Sequence, residues 1–195
     1  MIMNMSSTNR GYNRHATDYY ITPQECIKQF LTEFKKDNPD IAQTKLWLDP
    51  CAGGDDNNAM SYPAVIYREF DTINIKTLDI REDSRAEIKA DYLTHKLEYK
   101  PNVVITNPPF YLAKEIIQKA LNDVADNGFV IMLLRLNFFG SKERKQFLQD
   151  NMPVATYVHS RRMSFTADKK TDSIEYMHAV WQKGVSPTFT KLKII

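Results

Sequence analysis

The chain has 195 residues, an ordinary globular composition and a net charge of +2, which suits one domain with a substantial core. No run of ~18 apolar residues supports a membrane span, and the first residues lack the apolar region and cleavage site of a signal peptide. Cys26 and Cys51 are too few for a disulfide framework, and no Cys/His cluster has zinc spacing, so a cytosolic protein without a structural metal is expected. Charge is unevenly spread: residues 1–140 carry 16 Lys/Arg and 19 Asp/Glu, while residues 141–195 carry 10 and 5. A basic C-terminal part can meet phosphates.

Residues 1–15 read as a flexible segment and 16–195 as a single domain. Thr22-Pro23 suits a helix start, and Ile27, Phe30, Leu31 and Phe34 follow at helical spacing, predicting an amphipathic helix over 22–36. Its first-turn N–H groups can hold a carboxylate. Leu46-Trp47-Leu48 is a short strand running into Asp49-Pro50-Cys51-Ala52-Gly53-Gly54-Asp55. Small residues at a strand-to-helix turn admit a ligand close to the backbone. The loop is neither a dinucleotide fingerprint nor a phosphate loop, and its leading acid suits an amine and a ribose. Ser61 or Tyr62 opens a helix to about Phe70. A strand over 73–78 ends at Asp79, where an acid can take ribose hydroxyls. Residues 88–93 place a further acid, Asp91, after a short segment.

Val103-Val104-Ile105-Thr106 is a buried strand by its pattern, and it runs into Asn107-Pro108-Pro109-Phe110. Pro108 ends the strand and biases Asn107 toward extended backbone. An amide oxygen, the carbonyls beside it and an aromatic face then share one small space at a strand's carboxyl end. Those parts can grip a planar ring bearing an exocyclic amine. A helix over 112–124, a turn at Asp126-Asn127-Gly128 and an apolar strand over 129–134 come next. Ser141 can cap a helix to Gln149. Two final strands, 154–159 and 175–182, lack a helix between them and predict an antiparallel hairpin. The loop joining them holds Arg161, Arg162, Met163, Ser164 and Phe165, with Lys169-Lys170 beyond. Alternating strands and helices predict a three-layer α/β fold with a mainly parallel sheet.

Asp49-Pro-Cys-Ala-Gly-Gly followed by Asn107-Pro-Pro-Phe resembles motifs I and IV of S-adenosylmethionine-dependent N6-adenine methyltransferases, in gamma order, with Thr22-Pro23 as a motif X-like element in front. Asp18-Tyr19-Tyr20-x-Thr22-Pro23, Met60-Ser61-Tyr62-Pro63 and Arg135-Leu136-Asn137-Phe138-Phe139-Gly140-Ser141 resemble the small phage and prophage type. The resemblance covers most of residues 18–183. It implies a Rossmann-like class I methyltransferase fold with a seven-stranded, mainly parallel sheet in the order 3-2-1-4-5-7-6. The reaction implied is methyl transfer from S-adenosylmethionine to the N6 amine of adenine in DNA.

Carried over, Asp49, Cys51, Ala52 and Gly53 line the cofactor's methionine part, with Pro50 and Gly54 in the same loop. Thr22 and Pro23, preceded by Tyr20, lie near its carboxylate. Asp79 takes the ribose, Ile80 the adenine ring, and Asp91 with Tyr92 the adenine amine. Asn107, Pro108, Pro109 and Phe110 hold the target base, and Asn107 also borders the cofactor. Arg161, Arg162, Ser164 and Phe165 are expected to touch nucleic acid. The sequence departs from the family at Asp55, where a further glycine is usual, and carries no separate target-recognition domain. Three alternatives stay open: an RNA adenine, a protein glutamine amide, or a non-catalytic cofactor- or nucleic-acid-binding module.

Overall fold

The computed structural model describes residues 21–165 and 173–195; Tyr20 and Lys169-Lys170 lie outside the described residues. In chain order the elements are α1 (Gln24–Asp37), β1 (Leu46–Asp49), α2 (Ser61–Glu69), β2 (Asn74–Asp79), β3 (Ile88–Lys89), β4 (Val103–Thr106), α3 (Ala113–Asp123), β5 (Phe129–Arg135), α4 (Lys145–Asp150), β6 (Ala155–Val158), β7 (Tyr176–Gln182) and β8 (Lys191–Ile194). All strands join one sheet in the order β3-β2-β1-β4-β5-β7-β6-β8. The first five in that order pair in parallel. β7 runs antiparallel to both β5 and β6, as the expected hairpin requires.

Among the described residues the sheet has eight strands rather than the seven expected, because β8 pairs in parallel with β6 at the edge. Lys191-Leu192-Lys193-Ile194 alternates as a strand should, but Leu192 and Ile194 remain exposed, so the run lacks a burial signature. Lys193 anchors it to α1 through Glu33 and Asp37 at 2.8 and 3.0 Å.

The apolar strands are buried on both faces. In β5, Val130, Met132 and Leu134 join a cluster with Ile116 and Ile117 of α3. Ile131 faces the other way, into a cluster with Ile27, Phe30 and Phe34 of α1 and Val65 and Ile66 of α2. A residue alternates sides along a strand, so an unbroken apolar run signals a layer on each face.

Two helix starts differ from expectation. α1 begins at Gln24 with Pro23 before it, and no side chain caps it. The Thr22 hydroxyl is engaged elsewhere, as described below. Ser141 does not cap α4; its carbonyl receives Arg144 N–H in a 3-10 turn (Lys142–Arg144) that precedes the helix.

Three polar rings form a buried chain between α2 and the sheet. Tyr62 Oη lies 2.9 Å from His178 Nε2, and His178 Nδ1 lies 2.8 Å from His159 Nε2. Phe30 stacks on His178 with ring centres 4.1 Å apart. Burial disfavours a charged imidazole. It lowers His159 to about 4 and holds His178 well below its ordinary value. Among the described residues no helix is long and apolar enough to cross a membrane.

Candidate active site

Parallel strands place the carboxyl ends of β1, β2 and β4 on one edge of the sheet, where open α/β sheets bind ligands. The loop after β1 is tied to the end of β2. Ala52 N–H donates to the Leu78 carbonyl at 3.0 Å, and Gly53 N–H donates to Asp79 Oδ2 at 2.7 Å. Asp79 Oδ1 accepts Arg81 N–H at 2.9 Å. The buried carboxylate expected to meet a ribose therefore also shapes the loop. Gly53 and Gly54 adopt φ of 63° and 76°, the left-handed region that glycine enters without a Cβ penalty. A Cβ on Gly54 would stand 2.8 Å from Met60 Cγ.

Asp49 closes the base of this loop at 1% exposure. Burial raises its carboxyl to about 7, with Asp79 adding in the same direction. Cys51 N–H, at 3.2 Å from Asp49 Oδ1, offsets part of the rise. The Thr106 hydroxyl beside it does the same, without reaching full hydrogen-bond geometry. Burial, Asp49, Asp79 and Asp91 together push the Cys51 thiol well up, so it stays protonated and inert. A buried acid held near neutrality by its surroundings becomes fully ionised when a cation arrives. Ile80 is exposed beside Asp79. Asp91 is exposed and accepts Leu93 N–H at 2.9 Å, closing the turn after β3. Tyr92 is buried in the core against α3, with Lys119 over its ring at 4.9 Å.

Asn107 follows β4, half-buried. Its Nδ2 donates to Thr22 Oγ1 at 3.1 Å, across 85 positions of sequence. With Nδ2 against Thr22, Oδ1 is turned the other way. Oδ1 accepts no hydrogen bond among the described residues, and neither does the Pro108 carbonyl, whereas the Pro109 carbonyl receives Leu112 N–H at 2.9 Å. Pro108 is buried and Pro109 exposed. Phe110 packs beside Tyr176 at 6.0 Å, and Phe165 meets Tyr176 edge-on at 4.9 Å. Cys26, Leu133, Met163 and Ile174 complete this small cluster. The structure thus brings Phe165 of the basic loop to the same aromatic group as Phe110. Ser164 is half-buried next to it, while Arg161 and Arg162 are exposed.

Three features escape a reading of the sequence. The Thr22–Asn107 bond joins two motifs whose separation carries no hint of contact. Tyr176 lies in an apolar strand and reads as core. Arg135, whose guanidinium carbon lies 4.7 Å from the centre of the Phe110 ring, follows six apolar residues and opens the Arg135–Ser141 stretch, neither of which points to the Phe110 ring.

No protein-family profile and no curated protein matches the chain. Solved structures do. A proposed class I S-adenosylmethionine-dependent methyltransferase, lmo1582 of Listeria monocytogenes, matches with a TM-score of 0.66 at 12% identity, over 90% of this chain and 65% of its own. A proposed RNA methyltransferase, PH1948 of Pyrococcus horikoshii, matches with a TM-score of 0.64 at 14% identity, over 92% of this chain and 94% of its own. The M protein of the type I restriction enzyme EcoKI matches with a TM-score of 0.60 at 15% identity, over 90% of this chain and 47% of its own. The chain therefore spans under two thirds of the Listeria and EcoKI proteins. The fold is that of the class I methyltransferases.

Proposed function

We propose that the protein transfers a methyl group from S-adenosylmethionine to the N6 amine of adenine in DNA. The observation that carries this reading is Asn107. Thr22 lies against the amide nitrogen, which leaves Oδ1 as an acceptor, and the Pro108 carbonyl and Phe110 follow directly in the chain. Two such acceptors can take the hydrogens of an amine whose lone pair is otherwise delocalised into its ring. That favours a tetrahedral nitrogen with the lone pair available and stabilises charge developing there. Phe110 offers the base a stacking face, and the fixed turn supplies orientation. A base inside a duplex cannot reach such a pocket, so it enters flipped out or single-stranded.

The residue types at the strand ends suit S-adenosylmethionine. Positive φ at Gly53 and Gly54 lets the backbone approach a ligand, and Asp49 is a buried acid suited to a nearby cation. In this reading Thr22, Pro23, Asp49, Pro50, Cys51, Ala52, Gly53 and Gly54 hold its methionine half. Asp79, Ile80 and Asp91 hold its adenosine, with Tyr92 supporting them from the core. The bound cofactor supplies an electrophilic methyl on a sulfonium. The restriction-system neighbour and the basic C-terminal part favour DNA, whereas the archaeal neighbour keeps RNA adenine as the second reading.

The test is transfer of labelled methyl to DNA, RNA and protein offered separately. The expected product is N6-methyladenine in DNA, and label appearing only in RNA or in glutamine would reassign the substrate. Isothermal titration with S-adenosylmethionine alone should show binding; none at millimolar concentration would remove the cofactor assignment.

A further inference from the structure

Arg135 ends β5 on the same edge of the sheet that bears Asn107, and its guanidinium lies over Phe110 at 4.7 Å. Its Nε is buried with no hydrogen-bond partner, and no ion pair or hydrogen bond engages the guanidinium among the described residues. The other two described arginines that are not exposed are differently placed. Arg81 bonds Asp83 Oδ1 and the Gly54 carbonyl, at 2.9 and 3.3 Å. Arg144 also lies over an aromatic ring, that of Phe138 at 4.6 Å, yet its Nε donates to the Phe138 carbonyl at 2.8 Å. The ring contact alone therefore does not account for Arg135. A guanidinium stays charged at any working pH and presents five donors in a planar fork. Partly desolvated and without an acceptor, it is costly unless the acceptor arrives with a ligand.

We propose that Arg135 grips a phosphate flanking the target adenine, making the acceptor site selective for a nucleotide over a free base or an amide side chain. This rests on the reading of Asn107 and Phe110 as the acceptor site. The chemistry separates the candidate acceptors. A glutamine side chain is neutral and brings no anion, whereas every nucleotide in a strand brings two flanking phosphates. A phosphate oxygen pair matches the guanidinium fork, and the resulting charge-assisted bonds are the strong kind. The cation covers part of the Phe110 surface, so ring and charge form one composite surface for a base and its backbone. Unlike the exposed Arg161 and Arg162, Arg135 lies against the ring assigned to the base.

The test uses a fluorescent single-stranded oligothymidine carrying one central adenine. A second version has neutral methylphosphonate linkages on both sides of that adenine, and a third has them several nucleotides away. Binding is followed by anisotropy for the wild type, Arg135→Gln and Arg135→Lys, with melting curves and cofactor titration as folding controls. The wild type should bind the adenine-flanking version about tenfold more weakly than the unmodified strand, as expected for loss of a charge-assisted contact. Arg135→Gln should bind the unmodified strand about tenfold more weakly and be indifferent to the flanking neutral linkages. Arg135→Lys, charged but without the fork, should fall between. Remote linkages should affect all three alike. Losses that simply add in the wild type and Arg135→Gln, or no loss in the wild type, overturn the proposal. If the wild type nevertheless methylates adenine, the function stands and only the phosphate contact falls. If no nucleic acid accepts methyl, the function itself falls.

Discussion

At the scale of single residues the proposed site turns on the orientation of one amide. Asn107 is symmetric in shape but not in chemistry, and an inverted amide would present a donor to an amine that can only be held by acceptors. In the structure Nδ2 lies 3.1 Å from Thr22 Oγ1 and Oδ1 is turned away from it. Asn107→Ala should abolish methyl transfer while leaving the melting temperature and cofactor affinity nearly unchanged, because the residue lies beyond a strand end; substantial turnover would remove its catalytic role. Thr22→Val keeps the shape and removes the hydroxyl. It should lower kcat about tenfold by freeing the amide to rotate, the effect of losing one hydrogen bond of ordinary strength. An unchanged kcat would mean the amide is oriented by something else.

At the scale of elements, the loop between β1 and α2 holds its form through β2. Asp79 satisfies Gly53 N–H and Arg81 N–H, both in buried surroundings. Asp79→Ala leaves two donors unpaired, so it should reduce stability by roughly 1–3 kcal/mol and weaken cofactor binding together. A variant that loses affinity at unchanged urea midpoint would restrict Asp79 to ligand contact. Gly54→Ala tests the same loop through its backbone. Left-handed φ costs a residue with Cβ about 1–2 kcal/mol, and the new Cβ meets Met60 and Arg85 as well. Urea denaturation and cofactor titration should both show the loss.

At the scale of the whole molecule, buried ionisable groups couple stability to pH in opposing directions. His159 is held down to about 4, below the value near 6.5 of a free imidazole. The unfolded chain therefore takes up a proton that the fold refuses. Stability is full above pH 6.5 and falls as pH drops toward 4, by about 3 kcal/mol for this one group. Asp49, raised to about 7, acts oppositely: its neutral form is favoured in the fold, so its contribution is present at low pH and is lost as pH rises through 7. The two overlap, and Asp49→Asn separates them. In that background the urea midpoint should fall from pH 7 to pH 4, and a flat profile would mean the histidines are not held neutral. The surface adds a second global property. If Arg161 and Arg162 each meet a phosphate, replacing both with Ala should flatten the slope of log K against log salt by about 2, with cofactor affinity unchanged.

The sequence by itself determined the layered α/β fold, and the family it resembles implied the strand order 3-2-1-4-5-7-6, which the sheet keeps with β8 added at its edge. Apolar runs such as 129–134 can only be strands covered on both faces, and Pro108 can only end one. It also determined that Asn107-Pro-Pro-Phe stands at a strand's carboxyl end. Tertiary structure alone decided the rest. β8 is an exposed edge held by its ladder with β6, by Ile195 in the core and by Lys193 reaching α1, contacts no local pattern encodes. Thr22, which reads as a helix cap, spends its hydroxyl on Asn107 instead, because the start of α1 and the end of β4 meet in space. Arg135 opens a family-like stretch in the sequence, but only the turn after β4 lays Phe110 beneath its guanidinium. Local sequence encodes backbone shape through sterics and burial, whereas the partner of a polar side chain is set by which distant segment the fold brings within about 3 Å.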